Sequence, residues 1–277
     1  SINENTRAII ATHTFGYPQN IEWIEDIIKR AEKRFDRKIW FINDCCHAFG
    51  AKWKETLIGS SGDVAVYAFN ISKLITSIFG GILTFQDKSL ASKVRSFRDK
   101  HYKSPSWNKK ISRRIYLLLV YFLFNKKSYD FLWYLKENTT FLDHLTKSYH
   151  LDNKIHFPPD YLDLMLQVEA SVGAIQLQKY DSIIRNRIKK AYEYDLTLPR
   201  KEGWIFPPII KGATYSHYTV RVKNRAKVIK DYAAKGIELG ELIQYSIPHL
   251  SSYWEDGYNN KFPNSLEASK STINFPL

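Results

Sequence analysis

Two short apolar runs constrain the fold of this chain more than any other feature. The runs KIWFIND (38–44) and DVAVYAFN (63–70) are almost continuously apolar, and each stops at a polar residue. Strands of this kind are buried on both faces, as in parallel sheets whose two sides are covered by helices. An amphipathic stretch at 21–35 precedes them, with Asn20 placed to cap it. The pattern predicts an α/β fold with a mostly parallel sheet.

Two further strands complete the predicted sheet. RAIIATH (7–13) reads as the first strand and GGILTF (80–85) as the last. The connection at 71–79 is too short for the helical crossover that joins parallel strands, so the last strand is predicted to be antiparallel to its neighbour. The spacing of the apolar residues over 161–194 predicts one long amphipathic helix. The part of the chain after this helix, 195–277, contains a predicted strand (YSHYTVRV) and a helix that ends at Gly236.

Composition limits the class of protein. With 277 residues and 44% hydrophobic content, the chain can bury one large core or two smaller ones. Cys45 and Cys46 are adjacent, which rarely allows a disulfide, so a reducing cytoplasm is favoured. We see no signal peptide, and no apolar run approaches the roughly 20 residues that span a bilayer. Because the first residue is Ser1 and an apolar run follows at once, we expect a missing N-terminal part.

The net charge of +13 is concentrated in one segment, which surrounds the apolar run IYLLLVYFLF (115–124). Eight basic residues and no acidic residue lie between 100 and 127: Lys100, Lys103, Lys109, Lys110, Arg113, Arg114, Lys126 and Lys127. Residues 109–127 could lie at the inner face of a membrane, with the cations on anionic head groups. They could equally form a core helix with solvated flanks. A nucleic-acid partner is disfavoured because no recognisable binding module is present.

Three polar residues follow the ends of predicted strands. Asp44 ends the second strand, His47 comes three residues later, and Lys73 follows the third strand. Ligands of open α/β sheets bind outside the carboxyl ends of the strands. Each residue also has a structural explanation: Asp44 could cap a helix, His47 could be a buried core histidine, and Lys73 could be a surface lysine.

The stretch FINDCCHAFGAKWKETLIGSSGDVAVYAFNISKLITSIFGGILTF (41–85) resembles the core of a known family. It is similar to the DegT/DnrJ/StrS type of sugar-nucleotide aminotransferases, which are fold-type I enzymes that depend on pyridoxal 5'-phosphate (PLP). Residues 6–18, 166–194 and 216–250 also resemble this family; the segment around 100–160 does not. The resemblance implies an aspartate aminotransferase-like fold that is N-terminally incomplete, without the family's glycine-rich phosphate loop. It implies four regions: part of the large PLP-binding α/β domain (1–100), a basic apolar insertion (101–160), a long interdomain helix (161–194) and a small C-terminal α+β domain (195–277).

The resemblance also implies roles for the residues at the strand ends. Lys73 matches the lysine that forms the Schiff base with PLP, and Asp44 matches the carboxylate that pairs with the pyridinium nitrogen. His47 matches a Gln or His that contacts the cofactor ring or its phenolic oxygen. The resemblance implies no metal site.

Three departures from the family pattern bear on activity. A serine that contacts the phosphate is Ala68 here, and a Glu before the Gly-Gly pair is Phe79. An Asn and an Arg near the partner subunit's phosphate correspond to Leu162 and Leu164. Other hydroxyls could replace the missing serine, namely Ser60, Ser61 or Ser72, and Ser72 is the one we assign to the cofactor site.

The implied function is transfer of an amino group, with glutamate as donor, to a nucleotide-linked keto sugar for surface polysaccharide or lipopolysaccharide. The resemblance further implies a homodimer with shared active sites. Four residues are candidate substrate contacts that could also be structural: His13, Tyr17, His217 and His249. The alternative is a catalytically inactive or truncated relative that acts as an interaction or membrane-docking module. A sugar dehydratase is disfavoured, since such relatives replace the lysine that Lys73 retains.

Overall fold

The computed structural model describes residues 2–123, 157, 159–250 and 262–277. The chain divides into two compact units. The first unit comprises Ser1–Lys100, Glu169–Gln244 and Glu267–Leu277, and the second comprises His101–Val168 and Tyr245–Leu266.

A four-stranded sheet organises the first unit and confirms the predicted α/β fold. The strands of this region are β1 (Ala8–Thr12), β2 (Trp40–Asp44), the hairpin β3 (Lys52–Trp53) and β4 (Thr56–Leu57), β5 (Val64–Ala68) and β6 (Gly81–Phe85). The sheet has the order β1-β2-β5-β6, with β1, β2 and β5 parallel and β6 antiparallel. The register places Asp44 beside Thr12 on one side and Val66 on the other. The carboxyl ends of the parallel strands therefore meet at one edge.

Helix α1 (Ile21–Phe35) packs its apolar face on this sheet. The predicted cap is confirmed, because the Asn20 side chain accepts a hydrogen bond from the Trp23 N–H at 3.0 Å. Ile28 and Ala31 are buried with Phe41 in one core cluster. Burying an isoleucine or phenylalanine side chain stabilises a fold by about 1.5–3 kcal/mol, so this cluster fixes the sheet that carries the site.

The second unit contains helix α3 (Trp107–Leu123), which follows α2 (Lys88–His101) along the chain. Lys109 on α3 forms ion pairs with Asp160 at 2.7 Å and with Asp163 at 2.9 Å. Several apolar side chains of α3 are exposed: Ile111, Ile115, Tyr116, Leu118, Leu119, Tyr121 and Phe122. The rest of the predicted basic insertion, 124–156 with Lys126 and Lys127, lies outside the described residues.

The predicted long helix is observed as two helices. These are α4 (Gln167–Gln178) and α5 (Tyr180–Thr197), with Lys179 between them. The residues before 167 are not helical because their backbone groups pair elsewhere: Lys103 N–H donates to the Leu162 carbonyl at 2.9 Å, and Leu164 N–H donates to the Lys103 carbonyl at 2.8 Å.

A second core lies in the C-terminal part of the first unit. The antiparallel pair β7 (Tyr218–Arg221) and β8 (Thr272–Phe275) is flanked by α6 (Arg225–Ala233) and α7 (Pro263–Ser271). Its buried residues include Tyr215, Tyr218, Val220, Ile273 and Phe275. Gly236 follows α6 with a φ of +75°, a left-handed conformation that favours glycine after a helix. In the described part of the chain, no helix is both long and apolar enough to cross a membrane.

Candidate active site

Asp44 is held at the end of β2 by its own backbone turn. Its Oδ1 accepts the Cys46 N–H at 3.0 Å, while Cys45 N–H donates to the Val66 carbonyl at 2.9 Å. These bonds continue the sheet for one residue and then turn the chain towards His47. The Asp44 carboxylate is half-buried at the edge where the parallel strands end.

Lys73 lies in a loop that is closed by backbone hydrogen bonds. Lys73 N–H donates to the Asn70 carbonyl at 3.0 Å, Ser77 N–H to the Phe69 carbonyl at 2.8 Å, and Phe69 N–H to the Gly80 carbonyl at 2.9 Å. The Lys73 side chain is half-buried, and burial lowers the pKa of its amine, although Cys46 and Asp44 oppose the shift. A lowered pKa leaves more of the amine unprotonated at neutral pH, which is the form that attacks an aldehyde.

His47 and His217 form an aromatic cluster with Phe15. The ring centroids of His47 and His217 are 5.4 Å apart, and Phe15 lies 6.1 Å from His47 and 5.7 Å from His217. Ser216 Oγ lies 3.1 Å from His217 Nδ1. The predicted substrate residue His217, distant in sequence, is thus brought against the predicted cofactor residue His47.

Electrostatics links this pair to both strand-end charges. Burial lowers the pKa of His47, and the positive charge of Lys73 lowers it further, whereas Asp44 raises it. The pKa of His217 falls to about 4, first through burial and then through His47, Arg187 and Lys73. Both imidazoles are therefore neutral at pH 7. The charges of Asp44 and Lys73 both act on the His47 ring, which places the two residues on the same part of the site.

A glycine docks the turn after β1 onto the segment that carries His217. Gly16 has a φ of +90°, and a Cβ there would lie 2.6 Å from Tyr215 N and 2.7 Å from Ser216 N. The Gly16 carbonyl accepts the Thr214 N–H at 3.0 Å. Phe15, with a φ of +59°, is held in the left-handed region that is uncommon for a phenylalanine. Such strain persists only where the surroundings enforce it.

His13 and Tyr17, two other candidate substrate contacts, are engaged inside the protein. His13 is fully buried; its Nδ1 accepts the Gln19 N–H at 3.0 Å, which places its proton on Nε2, 3.0 Å from Asn43 Oδ1. The Tyr17 ring packs edge-on against Tyr215 at 5.4 Å. Its hydroxyl is buried and has no hydrogen-bond partner among the described residues. Their assignment to the substrate stays a prediction.

The remaining predicted residues lie at different places. Ser72 is exposed, and its hydroxyl donates to Asn70 Oδ1 at 2.9 Å. His249 belongs to the second unit, where its Nδ1 lies 2.9 Å from Ser246 Oγ and its Nε2 is buried without a partner in the described residues. Within those residues, no group of three or more His, Cys, Asp or Glu is placed to hold a metal ion.

Two residues of the site were not found from the sequence. For Phe15 the sequence offers one signal, the glycine that follows it, since glycine favours turns. Arg187, whose Nη1 donates to the Ser216 carbonyl at 3.0 Å, lies in a helix rich in basic residues and carried no distinguishing signal.

Comparison with known proteins identifies the family. A model of the DegT/DnrJ/EryC1/StrS aminotransferase family matches residues 1–121 and 149–277, which is most of the chain. The chain belongs to this family. The resemblance stated from the residues at 41–85 is thereby confirmed.

Individual family members give the range of similarity. An uncharacterised protein of Methanocaldococcus jannaschii, MJ1066, is 24% identical over all of this chain, which spans 63% of that relative. The GDP-perosamine synthase of Escherichia coli O157:H7 is 33% identical over 97 residues, 35% of this chain and 25% of the enzyme.

A solved structure shares the fold. The sugar aminotransferase CalS13 from Micromonospora echinospora superposes with a TM-score of 0.69 at 18% identity, over 99% of this chain and 63% of that one. This agreement shows the aspartate aminotransferase-like fold, but the chain spans less than two thirds of the relatives that it matches.

The residues at the sheet edge fit PLP by their chemistry. A half-buried amine with a lowered pKa suits a covalent link to an aldehyde, and a nearby carboxylate suits a protonated ring nitrogen. A neutral imidazole can pack against the ring or bond to its phenolic oxygen. Lys73, Asp44 and His47 supply these three groups.

Proposed function

We propose that this protein is a PLP-dependent aminotransferase that acts on a nucleotide-linked keto sugar. The observation that carries the proposal is that Lys73, Asp44 and His47 lie together at one sheet edge. The charges of Lys73 and Asp44 are both close enough to His47 to shift the pKa of its imidazole. Family membership supports amino-group transfer. The names of relatives, including GDP-perosamine synthase and a spore coat polysaccharide biosynthesis protein, support amino-sugar synthesis for surface polysaccharide or lipopolysaccharide.

In this proposal each residue has one role. Lys73 would hold PLP through Nζ, and its free amine would carry the proton at the reacting carbon. The Asp44 carboxylate would keep the ring nitrogen protonated, and His47 would orient the ring. Bound PLP supplies an electron sink for the reacting carbon. Ser72 contributes a hydroxyl towards the phosphate, and His13, Tyr17, His217 and His249 are proposed substrate contacts.

The partners follow from the same proposal. They are a nucleotide sugar, an amino donor that we take to be glutamate, and a second copy of the chain in a homodimer. The free thiols of Cys45 and Cys46 favour the reducing cytoplasm as the place of action.

The proposal is tested by measuring the rate of amino-group transfer in wild type and in matched variants. Protein loaded with PLP is mixed with glutamate and a nucleotide-linked keto sugar, and 2-oxoglutarate is measured. We expect Lys73→Ala to lower the rate by about 1000-fold or more, because nucleophile and proton carrier are lost together. Lys93→Ala, an exposed lysine on α2, is the control and should leave the rate unchanged. Wild-type rates in Lys73→Ala would contradict the proposal.

The exposed apolar side chains of α3 favour a second candidate function, namely docking of a catalytically inactive relative on an anionic membrane. Leu118 is 58% exposed and Phe122 63% exposed, next to a basic flank. The proposal predicts sedimentation with anionic liposomes. This binding should be lost when Lys109, Lys110, Arg113 and Arg114 are replaced by Gln, and retained when four exposed cations on α2 are replaced: Lys93, Arg95, Arg98 and Lys100. Absence of sedimentation, or equal loss in both variants, would reject it.

A further inference from the structure

Arg187 on α5 lies beside the histidine pair and has no carboxylate partner in the described structure. Its Nη1 donates to the Ser216 carbonyl at 3.0 Å, one residue before His217. The side chain is half-buried, and burial lowers the pKa of the guanidinium. An arginine has five N–H donors, so most of them are available for a ligand.

The other two half-buried arginines of the first unit, Arg221 and Arg225, are paired with carboxylates, and so is the exposed Arg200. Arg200 pairs with Asp195 at 2.5 Å, Arg221 with Glu267 at 2.5 Å, and Arg225 with Glu241 at 3.5 Å. Arg187 has no such ion pair among the described residues. Withdrawing a cation from water without a partner is costly, so the position favours an anion that comes from outside the chain.

The same position belongs to the candidate active site. The charges of Arg187 and Lys73 both act on His217, whose ring contacts His47. Among the described residues, Asp44 is the carboxylate that acts on His47 and on Lys73, and the proposed function assigns it to the ring nitrogen of PLP. Arg187 therefore has no anionic partner from the described chain, which leaves its guanidinium available to a substrate anion.

We propose that Arg187 binds the α-carboxylate of the amino donor. This inference rests on the proposed function. The α-carboxylate is attached to the carbon that carries the transferred amine, so it must lie close to Lys73. The planar guanidinium can hold a carboxylate through two parallel N–H···O bonds while Nη1 keeps its bond to Ser216.

A substrate phosphate could supply the same negative charge. The diphosphate of a nucleotide sugar, however, is separated from the reacting carbon by the sugar ring, and therefore lies farther from Lys73 than an α-carboxylate does. Binding measurements with the two anions distinguish the sources.

The experiment compares Arg187→Gln with wild type by calorimetry, with 2-oxoglutarate and UDP as separate probes. We expect Arg187→Gln to weaken 2-oxoglutarate binding by at least about tenfold, as for removal of one member of a buried charge pair. UDP binding should be unchanged. Arg187→Lys keeps the positive charge but loses the paired N–H donors of the guanidinium. Its affinity for 2-oxoglutarate should therefore lie between those of wild type and Arg187→Gln. Arg185→Gln, at an exposed position of the same helix, is the control.

Borohydride labelling of Lys73 by PLP in the same samples separates this inference from the proposed function. Retained labelling with weakened 2-oxoglutarate binding in Arg187→Gln supports Arg187 as the carboxylate site. Equal 2-oxoglutarate binding in wild type and Arg187→Gln overturns the inference, as does selective loss of UDP binding or the absence of 2-oxoglutarate binding in wild type. Absence of labelling in wild type instead counts against the proposed function, and the calorimetric comparison still decides the role of Arg187.

Discussion

The sheet edge of the first unit and helix α3 of the second unit differ in which side chains they expose to water. At the sheet edge, polar groups are withdrawn from water: His13 is 0% exposed and His217 is half-buried. On α3, apolar groups face outward, with Ile115 52% exposed and Leu118 58% exposed. Burying polar groups costs stability unless they find partners, and exposing apolar groups forgoes stability that burial would supply.

This difference determines how closely the function of each region can be inferred from its structure. Buried polar residues at the sheet edge are held by specific bonds, such as Asp44 to the Cys46 N–H, so their geometry restricts the chemistry. Exposed apolar residues on α3 restrict only the class of contact, because dispersion and hydration have no direction. Three predictions examine this contrast.

The first prediction compares the same substitution in the two regions. Ile39→Ala removes a side chain that is 0% exposed in the first core, and we expect a loss of about 3 kcal/mol in the free energy of unfolding. Ile115→Ala on α3 should change it by less than about 0.5 kcal/mol. Urea unfolding monitored by circular dichroism measures both. Equal losses would mean that α3 is covered in solution, and the contrast would then fail.

The second prediction concerns the glycine that docks the turn after β1. Gly16→Ala should destabilise by about 2 kcal/mol or more, because it adds a clash with Tyr215 N to left-handed strain. Gly236→Ala is the matched control: its φ of +75° is similar, but nothing lies within 4 Å, so we expect about 1 kcal/mol. Unfolding midpoints in urea give both values. Equal costs would show that the close approach of Gly16 is unimportant.

The third prediction is a dependence of stability on pH. Between pH 6.5 and about 4, the unfolded chain binds a proton at His217 that the folded chain does not, so stability falls as the pH falls through this window. The groups that act on His217 are His47, Arg187 and Lys73. We expect His217→Gln to reduce the loss between pH 7 and pH 4.5 by about 2 kcal/mol.

Thermal unfolding at several pH values measures this effect. Asn186→Gln, at an exposed position of α5 whose side chain does not titrate, is the control and should leave the pH profile unchanged. A profile for His217→Gln that coincides with wild type would mean that His217 is protonated equally in both states.

The sequence predicts the parts of the site that depend on local order. The ends of two neighbouring strands place Asp44 and Lys73 at the same edge of the sheet. The short connection between β5 and β6 makes β6 antiparallel, so both features follow from the geometry of the chain. The contact of His217 with His47 was not predictable, because it depends on how Gly16 docks against Ser216, which is distant in sequence. The start of α4 at Gln167 depends likewise on the pairing of Lys103 with Leu162 and Leu164.

The most direct test of the central claim is to find where PLP attaches. The protein is incubated with PLP, reduced with borohydride and digested, and the modified peptide is identified by mass spectrometry. We predict a single reduced adduct on Lys73 that is absent in Lys73→Ala and unchanged in Lys93→Ala. An adduct spread over exposed lysines, or one that persists in Lys73→Ala, would contradict the account.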